Sequence, residues 1–221
     1  MGKPTDVICV KGSGWDLGDI EPQGLPAMHL APLQQMEALD ALSDEDMVNA
    51  QRTNLLDFRS PNPSVETLLH AFLPHKFIDH THANSILALS DQPSGDKLCS
   101  KIYGKHMGYV PYIMPGFALA KKALEVYQQN PDVTGLILHK HGVFTFANTA
   151  KLSYDNMISL CTLAEKRIKR GPKKSFVSVQ LPKRPAKAFE IAPILRGLVV
   201  DESKSMVLNF RTSQKVRAYV G

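Results

Sequence analysis

Apolar positions along this chain follow two spacings, one typical of strands and one typical of helices. Short β-branched and apolar runs predict strands in residues 7–10 and 77–82, and a strand pair around Gly142 within residues 133–146. Apolar residues spaced by three and four predict helices, bounded by Ser, Asp, Gly and Pro. The predicted helices span residues 43–52, 66–73, 84–89, 94–104, 148–168 and 188–198, with one more starting at residue 115. A loop is predicted at 22–32, an extended segment at 110–114, a last strand at 206–210 and a last helical turn at 214–220.

The order of these elements predicts the fold class. Strands and helices are mixed without strict alternation, which favours an α+β fold or a three-layer αβα sandwich with a largely antiparallel central sheet. A chain of 221 residues with 43% hydrophobic and 21% charged residues has an ordinary globular composition. It is long enough to bury a full core, so a single domain over residues 1–221 is expected.

Composition argues against a disulfide framework and against nucleic acid or a membrane as a partner. Three cysteines without paired spacing argue against a disulfide framework and against a cysteine zinc site. The formal charge is +5, but the basic tract at residues 166–184 has no interleaved aromatic residues, so nucleic acid is not an expected partner. No apolar run approaches the roughly 20 residues that span a bilayer, and the first residues lack the apolar core of a signal peptide. A cytoplasmic location without membrane contact is therefore expected.

Histidines in two predicted strand regions indicate a metal site. His80 and His82 are two positions apart on a strand, so their side chains point to the same face and can share one ion. A third imidazole could come from His139 or His141, and spacing alone does not choose between them. Glu66 falls in the first turn of a predicted helix, from which a carboxylate would face the metal.

These residue types suit catalysis assisted by a divalent metal ion. Three neutral imidazoles around Zn²⁺ leave coordination positions open, as in catalytic sites, whereas a structural zinc site is usually closed by four protein ligands. A divalent ion that binds the carbonyl and hydroxyl oxygens of a substrate can stabilise, as a Lewis acid, negative charge that develops on them, such as that of an enediolate. Glu66 would then supply the mobile proton at the adjacent carbon as a general acid–base.

A glycine-rich segment follows the first predicted strand. In Lys11-Gly12-Ser13-Gly14, the glycines permit a tight turn whose amides can point into one concavity suited to an anion. A plain glycine turn is the alternative reading of the same residues.

Several motifs in order resemble the class II aldolase/adducin family. They are Pro63-Ser64-Val65-Glu66 with His70 four residues beyond Glu66, then Asp79-His80-Thr81-His82-Ala83, then His139-Lys140-His141-Gly142. Lys11-Gly12-Ser13-Gly14-Trp15-Asp16-Leu17 and Ala192-Pro193-Ile194-Leu195-Arg196-Gly197 resemble one bacterial subgroup. In that subgroup, a rhamnulose-1-phosphate-aldolase-like domain is fused to a short-chain dehydrogenase. The likeness covers nearly the whole chain.

This resemblance implies an activity and a set of site residues. It selects His141 as the third metal ligand beside His80 and His82, because the family's third ligand immediately precedes the glycine. It implies a zinc-dependent lyase, with Glu66 as the catalytic residue, that cleaves a ketose 1-phosphate or related hydroxy-ketone by retro-aldol chemistry in carbohydrate metabolism. Another divalent metal is possible. The family also implies the αβα layout and a homotetramer, in which the basic, proline-rich residues 171–186 would be a docking arm.

Two alternatives belong to the same superfamily. A sugar-phosphate 4-epimerase would use the same retro-aldol chemistry without releasing fragments, but such enzymes tend to carry Asp where this chain has Glu66. A non-catalytic interaction domain like the adducin head would lack the metal histidines, which this chain retains. The aldolase is therefore the preferred reading.

The sequence departs from the family pattern in one place. Family members usually carry a Gly-Gly-Asn-x-Ser-like phosphate-binding segment before the strand that corresponds to residues 7–10, and this sequence contains none. Either the site uses a different anion pocket or the sequence is shortened, and Gly12, Ser13, Gly14 and Ser64 are the best remaining candidates for binding the substrate and its phosphate. The dehydrogenase partner is not expected either, because the residues after Leu198 are too few for a βαβ nucleotide fold and include no glycine fingerprint.

Overall fold

A computed structural model describes residues 4–170, 186–200, 207–211 and 213 of the chain. The chain divides into two compact units, residues 1–171 and residues 172–221, which are described separately. The expectation of one domain over the whole chain stays a prediction.

The first unit opens with a small antiparallel pair, β1 (Val7–Cys9) and β2 (Ala27–His29). Four further strands form the central sheet: β3 (Phe77–Thr81), β4 (Met107–Val110), β5 (Gly135–Leu138) and β6 (Gly142–Ala147). Their order across the sheet is β3-β6-β5-β4. The β3/β6 and β6/β5 pairs are antiparallel, while β5 and β4 are parallel. The sheet is thus mixed but mostly antiparallel.

Helices in the first unit agree with most of the predicted spans. They are α1 (Leu30–Gln35), α2 (Asp44–Thr53), α3 (Thr67–Phe72), α4 (Asn84–Ser90), α5 (Gly95–Tyr103), α6 (Phe117–Gln129) and α7 (Ala150–Lys169). The side chain of Ser43 accepts a hydrogen bond from the amide of Asp46 and so caps α2, as its position before three acidic residues suggests. Thr149 caps α7 in the same way, through the amide of Leu152.

The sheet buries both of its faces. Alternate residues of β5 enter different cores, with Leu136 and Leu138 on one side and Ile137 on the other. Side chains of α1, α3 and α6 belong to the first core, and side chains of α4, α5 and α7 belong to the second. Helices therefore cover the sheet on two sides, which confirms the predicted α+β fold class.

One local prediction in this unit is wrong, and one strand was not predicted. Residues 22–32, predicted as a loop, contain β2 and the start of α1; Pro32 is tolerated because it lies in the first turn of that helix. The extended segment predicted at 110–114 begins at the last residue of β4 (Met107–Val110), and the strand itself was not predicted. Pairing decided both cases, because β2 is aligned by β1 and β4 is aligned by β5.

The second unit contains α8 (Ala188–Val199), whose residue Glu190 accepts a hydrogen bond from the amide of Lys187. Residues 207–210 have no regular secondary structure, so the strand predicted there is wrong for these positions. The predicted arm is described only at Ala186, and the predicted helical turn at 214–220 lies outside the described residues. Across the ranges that the structure covers, no helix is long and apolar enough to cross a membrane.

Candidate metal centre

Three segments of the first unit meet at one edge of the central sheet. His80 lies on β3 opposite Phe144 of β6, and His82 directly follows the end of β3. His141 lies in the turn between β5 and β6. Glu66 immediately precedes α3, where it occupies the capping position of that helix. These four predicted site residues are thus placed by the antiparallel β3/β6 pairing and by the start of one helix.

The four side chains converge on one point. One potential ligand atom from each of Glu66, His80, His82 and His141 lies within 4.8 Å of all the others. The imidazole rings form a triangle with centroid separations of 4.9 Å (His80–His82), 5.0 Å (His82–His141) and 5.2 Å (His80–His141). The Oε1 atom of Glu66 lies 2.6 Å from Nε2 of His141 and 3.4 Å from Nε2 of His80. Such a cluster could hold a metal ion.

The orientation of His80 suits a metal ligand. Its Nδ1 lies 3.1 Å from the carbonyl oxygen of Val143, so an Nδ1 proton can be donated there and the Nε2 lone pair is directed to the cluster. The ring also stacks on the buried ring of Phe144, at a centroid distance of 4.2 Å. Within the described residues, Nε2 of His80 is buried without a hydrogen-bond partner. A bound cation would satisfy that atom, so the donor set fits a metal.

Close packing explains why a glycine follows His141 in the sequence. A Cβ atom at this position would lie 2.5 Å from the carbonyl oxygen of Thr81, 3.0 Å from the ring of His82 and 3.1 Å from the ring of His80. Any side chain would therefore push against the backbone of β3 and against two of the clustered imidazoles. The His-Gly pair is a packing requirement of the cluster as well as a turn.

The turn that carries His141 is tightly bent. Lys140 has a φ of 57°, in the left-handed region that few residues other than glycine adopt. The amide of His141 donates to the carbonyl oxygen of Leu138, which closes the turn. His139, on the other side of Lys140, lies instead against Tyr109, with ring centroids 5.7 Å apart. The structure therefore brings His141 to the cluster and leaves His139 outside it.

Burial and charge set the protonation of the neighbouring groups. Burial raises the pKa of Glu66, but contacts with His141 and His80 outweigh it and hold this pKa well below its ordinary value. Burial lowers the pKa of His70 to about 4, with a further contribution from His80. Burial, His80 and His141 all lower the pKa of His82. The carboxylate is thus ionised and His70 is neutral near pH 7.

A cavity of about 210 Å³ lies beside the cluster. Glu66 and His80 form part of its wall together with Ser64, His70 and Asp79. A larger cavity of about 670 Å³, between the β1 segment and residues 73–79, shares His70 and Asp79 with it. His70 thus faces the site as a wall residue, and Asp79 lies outside the cluster of possible ligands, as its strand position predicted.

The predicted phosphate-binding residues do not all line the smaller cavity. Ser64 lines the smaller cavity, and its Oγ accepts a hydrogen bond from the amide of Glu66. The amides of Gly12 and Ser13 donate to backbone carbonyl oxygens of Gly24 and Asn62, at 2.7 Å and 2.8 Å. These two amides are therefore not free to bind an anion. A binding role for Ser64 and for the glycine segment stays a prediction.

Sequence reasoning did not single out the side chain of Lys11, which belongs to the cavity wall. Lys11 is half-buried and lines the smaller cavity, while its ammonium donates to the carbonyl oxygens of Gly12 and Trp15. Its position after a strand and before a glycine turn was the only signal in the sequence. Because of the glycine turn, the backbone amides rather than the lysine side chain were the expected anion-binding groups.

Comparison with known proteins identifies the family. The family described as Class II Aldolase and Adducin N-terminal domain matches residues 2–168. The chain belongs to this family. It is also 33% identical over 226 residues to the "Uncharacterized oxidoreductase YuxG" of Bacillus subtilis (strain 168). That alignment covers 99% of this chain and 33% of the relative, so the chain spans about a third of the relative's length.

Solved structures of the same class share the fold. The N-terminal class II aldolase domain of a conserved protein from Thermoplasma acidophilum is 37% identical, with a TM-score of 0.67 over 72% of this chain and 73% of that one. A sugar-phosphate aldolase from Thermotoga maritima is 19% identical, with a TM-score of 0.52 over 76% of this chain and 74% of that one. YgbL from Klebsiella pneumoniae, a putative aldolase/epimerase/decarboxylase, is 16% identical with a TM-score of 0.54, covering 79% and 82%. The last two likenesses show the fold alone.

Proposed function

We propose that this protein is a zinc-dependent class II aldolase-like lyase that cleaves a ketose 1-phosphate or a related hydroxy-ketone by retro-aldol chemistry. The observation that carries the proposal is the convergence of three imidazoles and one carboxylate within 4.8 Å at the edge of the sheet. Membership of the class II aldolase/adducin family supports it, because the resemblance to that family implies a metal-dependent lyase that acts on sugar phosphates.

The donor set favours a catalytic rather than a structural ion. His80, His82 and His141 would hold the metal, and three protein ligands leave at least one position for substrate oxygen. When bound, a divalent cation supplies Lewis-acid stabilisation of negative charge on the substrate's oxygen atoms. His82 is the exposed member of the cluster, so a ligand can reach the metal from its side.

Glu66 is the proposed acid–base residue. It lines the adjoining cavity next to the proposed metal ligands, so its carboxylate can accept a proton from a substrate carbon or hydroxyl group there. Glu66 is also close enough to be a fourth ligand. The two roles make different predictions for a glutamine substitution.

The rest of the proposal concerns substrate and assembly. Ser64 and the segment Gly12, Ser13 and Gly14 would bind the substrate's phosphate, with Ser64 best placed because it lines the cavity. The family's lyases assemble as tetramers with active sites near subunit contacts, and a homotetramer working on phosphorylated sugars in the cytoplasm is proposed here as well.

Metal analysis and a substrate screen test this function. Protein purified without added metal should contain about one divalent ion per chain, and His80→Ala or His141→Ala should lose it. His106→Ala, an exposed histidine outside the cluster, serves as the control. In a screen of ketose 1-phosphates, release of two fragments supports the lyase, whereas recovery of an intact epimer would replace it with the epimerase. A chain that binds no metal in either test would overturn the proposal.

A further inference from the structure

The larger cavity, of about 670 Å³, lies between two strands of different sheets, and we call it the edge groove. Its wall contains every residue of 6–10, which include β1, and every residue of 73–79, which include the first part of β3. Side chains of a strand alternate between two faces, so a cavity over one face would be lined by every second residue. An unbroken lining by consecutive residues indicates that the groove runs along the edges of both strands.

The two strand edges that border the edge groove are open to pairing. β3 is the outermost strand of the central sheet and pairs with β6 on one side. β1 pairs with β2 on one side, and among the described residues no backbone hydrogen bond reaches the other side of either β1 or β3. Amide and carbonyl groups on such edges are a template for a further strand. One extended segment in the groove could therefore pair with β1 and β3 at once.

The side chains of the edge groove favour a segment in which apolar residues alternate with polar or basic ones. Ile8 and Ile78 belong to the groove wall and pack against the first core. The charged residues of the wall are two carboxylates, Asp6 and Asp79, and one ammonium group, Lys76. An added strand would suit this wall if it placed apolar side chains on the side of Ile78 and a cation on the side of Asp79.

Residues 207–211 have this pattern. In Leu208-Asn209-Phe210-Arg211, two apolar residues alternate with a polar and a basic one. Residues 207–211 are exposed and have no regular secondary structure. Within the part of the chain that the structure describes, their backbone groups have no hydrogen-bond partner. Val207 and Phe210 are residue types that favour strands, so the segment is suited to pair with an open strand edge.

We infer that residues 207–211 of a second copy of this chain add as a strand in the edge groove, between β1 and β3. The segment is exposed and the groove is open in a single copy, so this pairing joins two copies. Leu208 and Phe210 would face the first core, and Arg211 would lie on the side of Asp79. Because β3 also carries His80, self-association would support the strand that holds a proposed metal ligand.

Disulfide trapping in the full chain tests this contact directly. Cys9 is an exposed native thiol in the wall of the edge groove. A cysteine is placed at each of positions 207–211 in turn, because a disulfide needs Cβ atoms about 3.5–4.5 Å apart and each register brings a different position near Cys9. Oxidation should give a dimer linked between Cys9 and at least one of these positions, identified by mass spectrometry, and Cys9→Ser should abolish it. Phe189→Cys, at a similarly exposed position on α8, is the control and should give no such link.

Mixing isotopically labelled with unlabelled protein distinguishes one copy from two. Disulfide-linked peptides that join a labelled and an unlabelled chain support the inference, whereas links confined to one chain, or no link to Cys9 at any of the five positions, would overturn it.

A matched pair of substitutions gives a second readout. Phe210→Ser should lower the average mass measured by light scattering over a dilution series, because it removes an apolar side chain from the added strand. Phe189→Ser removes a phenylalanine that is 69% exposed, against 64% for Phe210, and should keep the mass of the wild type. Equal masses for the two variants would count against the strand and would overturn the inference.

Discussion

The candidate site has two ends that are built by different means. The metal end consists of Glu66, His80, His82 and His141, and its three histidines are positioned by the pairing of β3 with β6 and by the turn that leads into β6. The loop end consists of residues 11–14 and Ser64, positioned by backbone hydrogen bonds between loops, such as Gly12 to Gly24. One end rests on a buried sheet and the other on loop contacts.

This difference determines where substitutions act. At the metal end, the ring of Phe144 is fully buried beneath His80, so the imidazole has a fixed support. At the loop end, Ser13 and Gly14 are exposed. Changes at the metal end should therefore alter chemistry and metal binding together with stability, whereas changes at the loop end should alter ligand preference. The following predictions test that contrast.

Glu66→Gln should give the largest effect on turnover. Because glutamine keeps the shape of glutamate but cannot accept a proton, turnover should fall by about 10²-fold or more, the usual contribution of a general acid–base. Metal content should stay near that of the wild type. Steady-state kinetics and elemental analysis of the same preparation provide the two measurements.

The opposite pattern would reassign Glu66. If Glu66→Gln loses the ion but keeps its activity per bound ion, the carboxylate is a fourth ligand and another group moves the proton. Asp79→Asn is a matched control, since it removes a carboxylate from the same cavity wall outside the cluster. It should leave metal content unchanged.

The sequence predicted the metal end better than the loop end, for a physical reason. His80 and His82 point the same way because strand side chains alternate, and this period of two is visible in the sequence. The choice between His139 and His141 was not visible, because it depends on the left-handed turn at Lys140; only the family resemblance made it. The role of these residues as ligands still awaits metal analysis.

Lys11 shows what sequence patterns leave out. Its ammonium is fixed by carbonyl oxygens of Gly12 and Trp15, and such contacts carry no periodic signal. The same limit applies to β2, a three-residue strand after Pro26, which exists because β1 pairs with it. Helices with long apolar faces, such as α7, were predicted well because their periodicity extends over several turns.

Gly142→Ala should have the next largest effect on metal binding, because the added methyl group would clash with residues at the metal end. The added Cβ would lie 2.5 Å from the carbonyl oxygen of Thr81 and about as close to two imidazoles as a carbon can come. Displacing the β3 backbone should lower the free energy of unfolding by about 2 kcal/mol, the usual scale for overpacking, and weaken metal binding. Gly18→Ala is the control, since among the described residues a Cβ added there would meet just the Asp16 carboxylate, at 3.6 Å. Equal metal affinity in both variants would show that the cluster is not held by this contact.

Substitutions at Lys140 should have the smallest effect, and they test whether the left-handed turn there positions His141. A β-branched residue is poorly tolerated at a φ of 57°, so Lys140→Val should lower the free energy of unfolding by about 1 kcal/mol or more and weaken metal binding by misplacing His141. Lys140→Asn removes the same charge but tolerates the left-handed region, so it should match the wild type in both measurements. Chemical denaturation and zinc titration of the two variants separate backbone strain from loss of charge. If both variants lose stability and zinc affinity equally, the lysine side chain matters rather than the backbone turn. If neither differs from the wild type, the left-handed turn does not hold His141 in place.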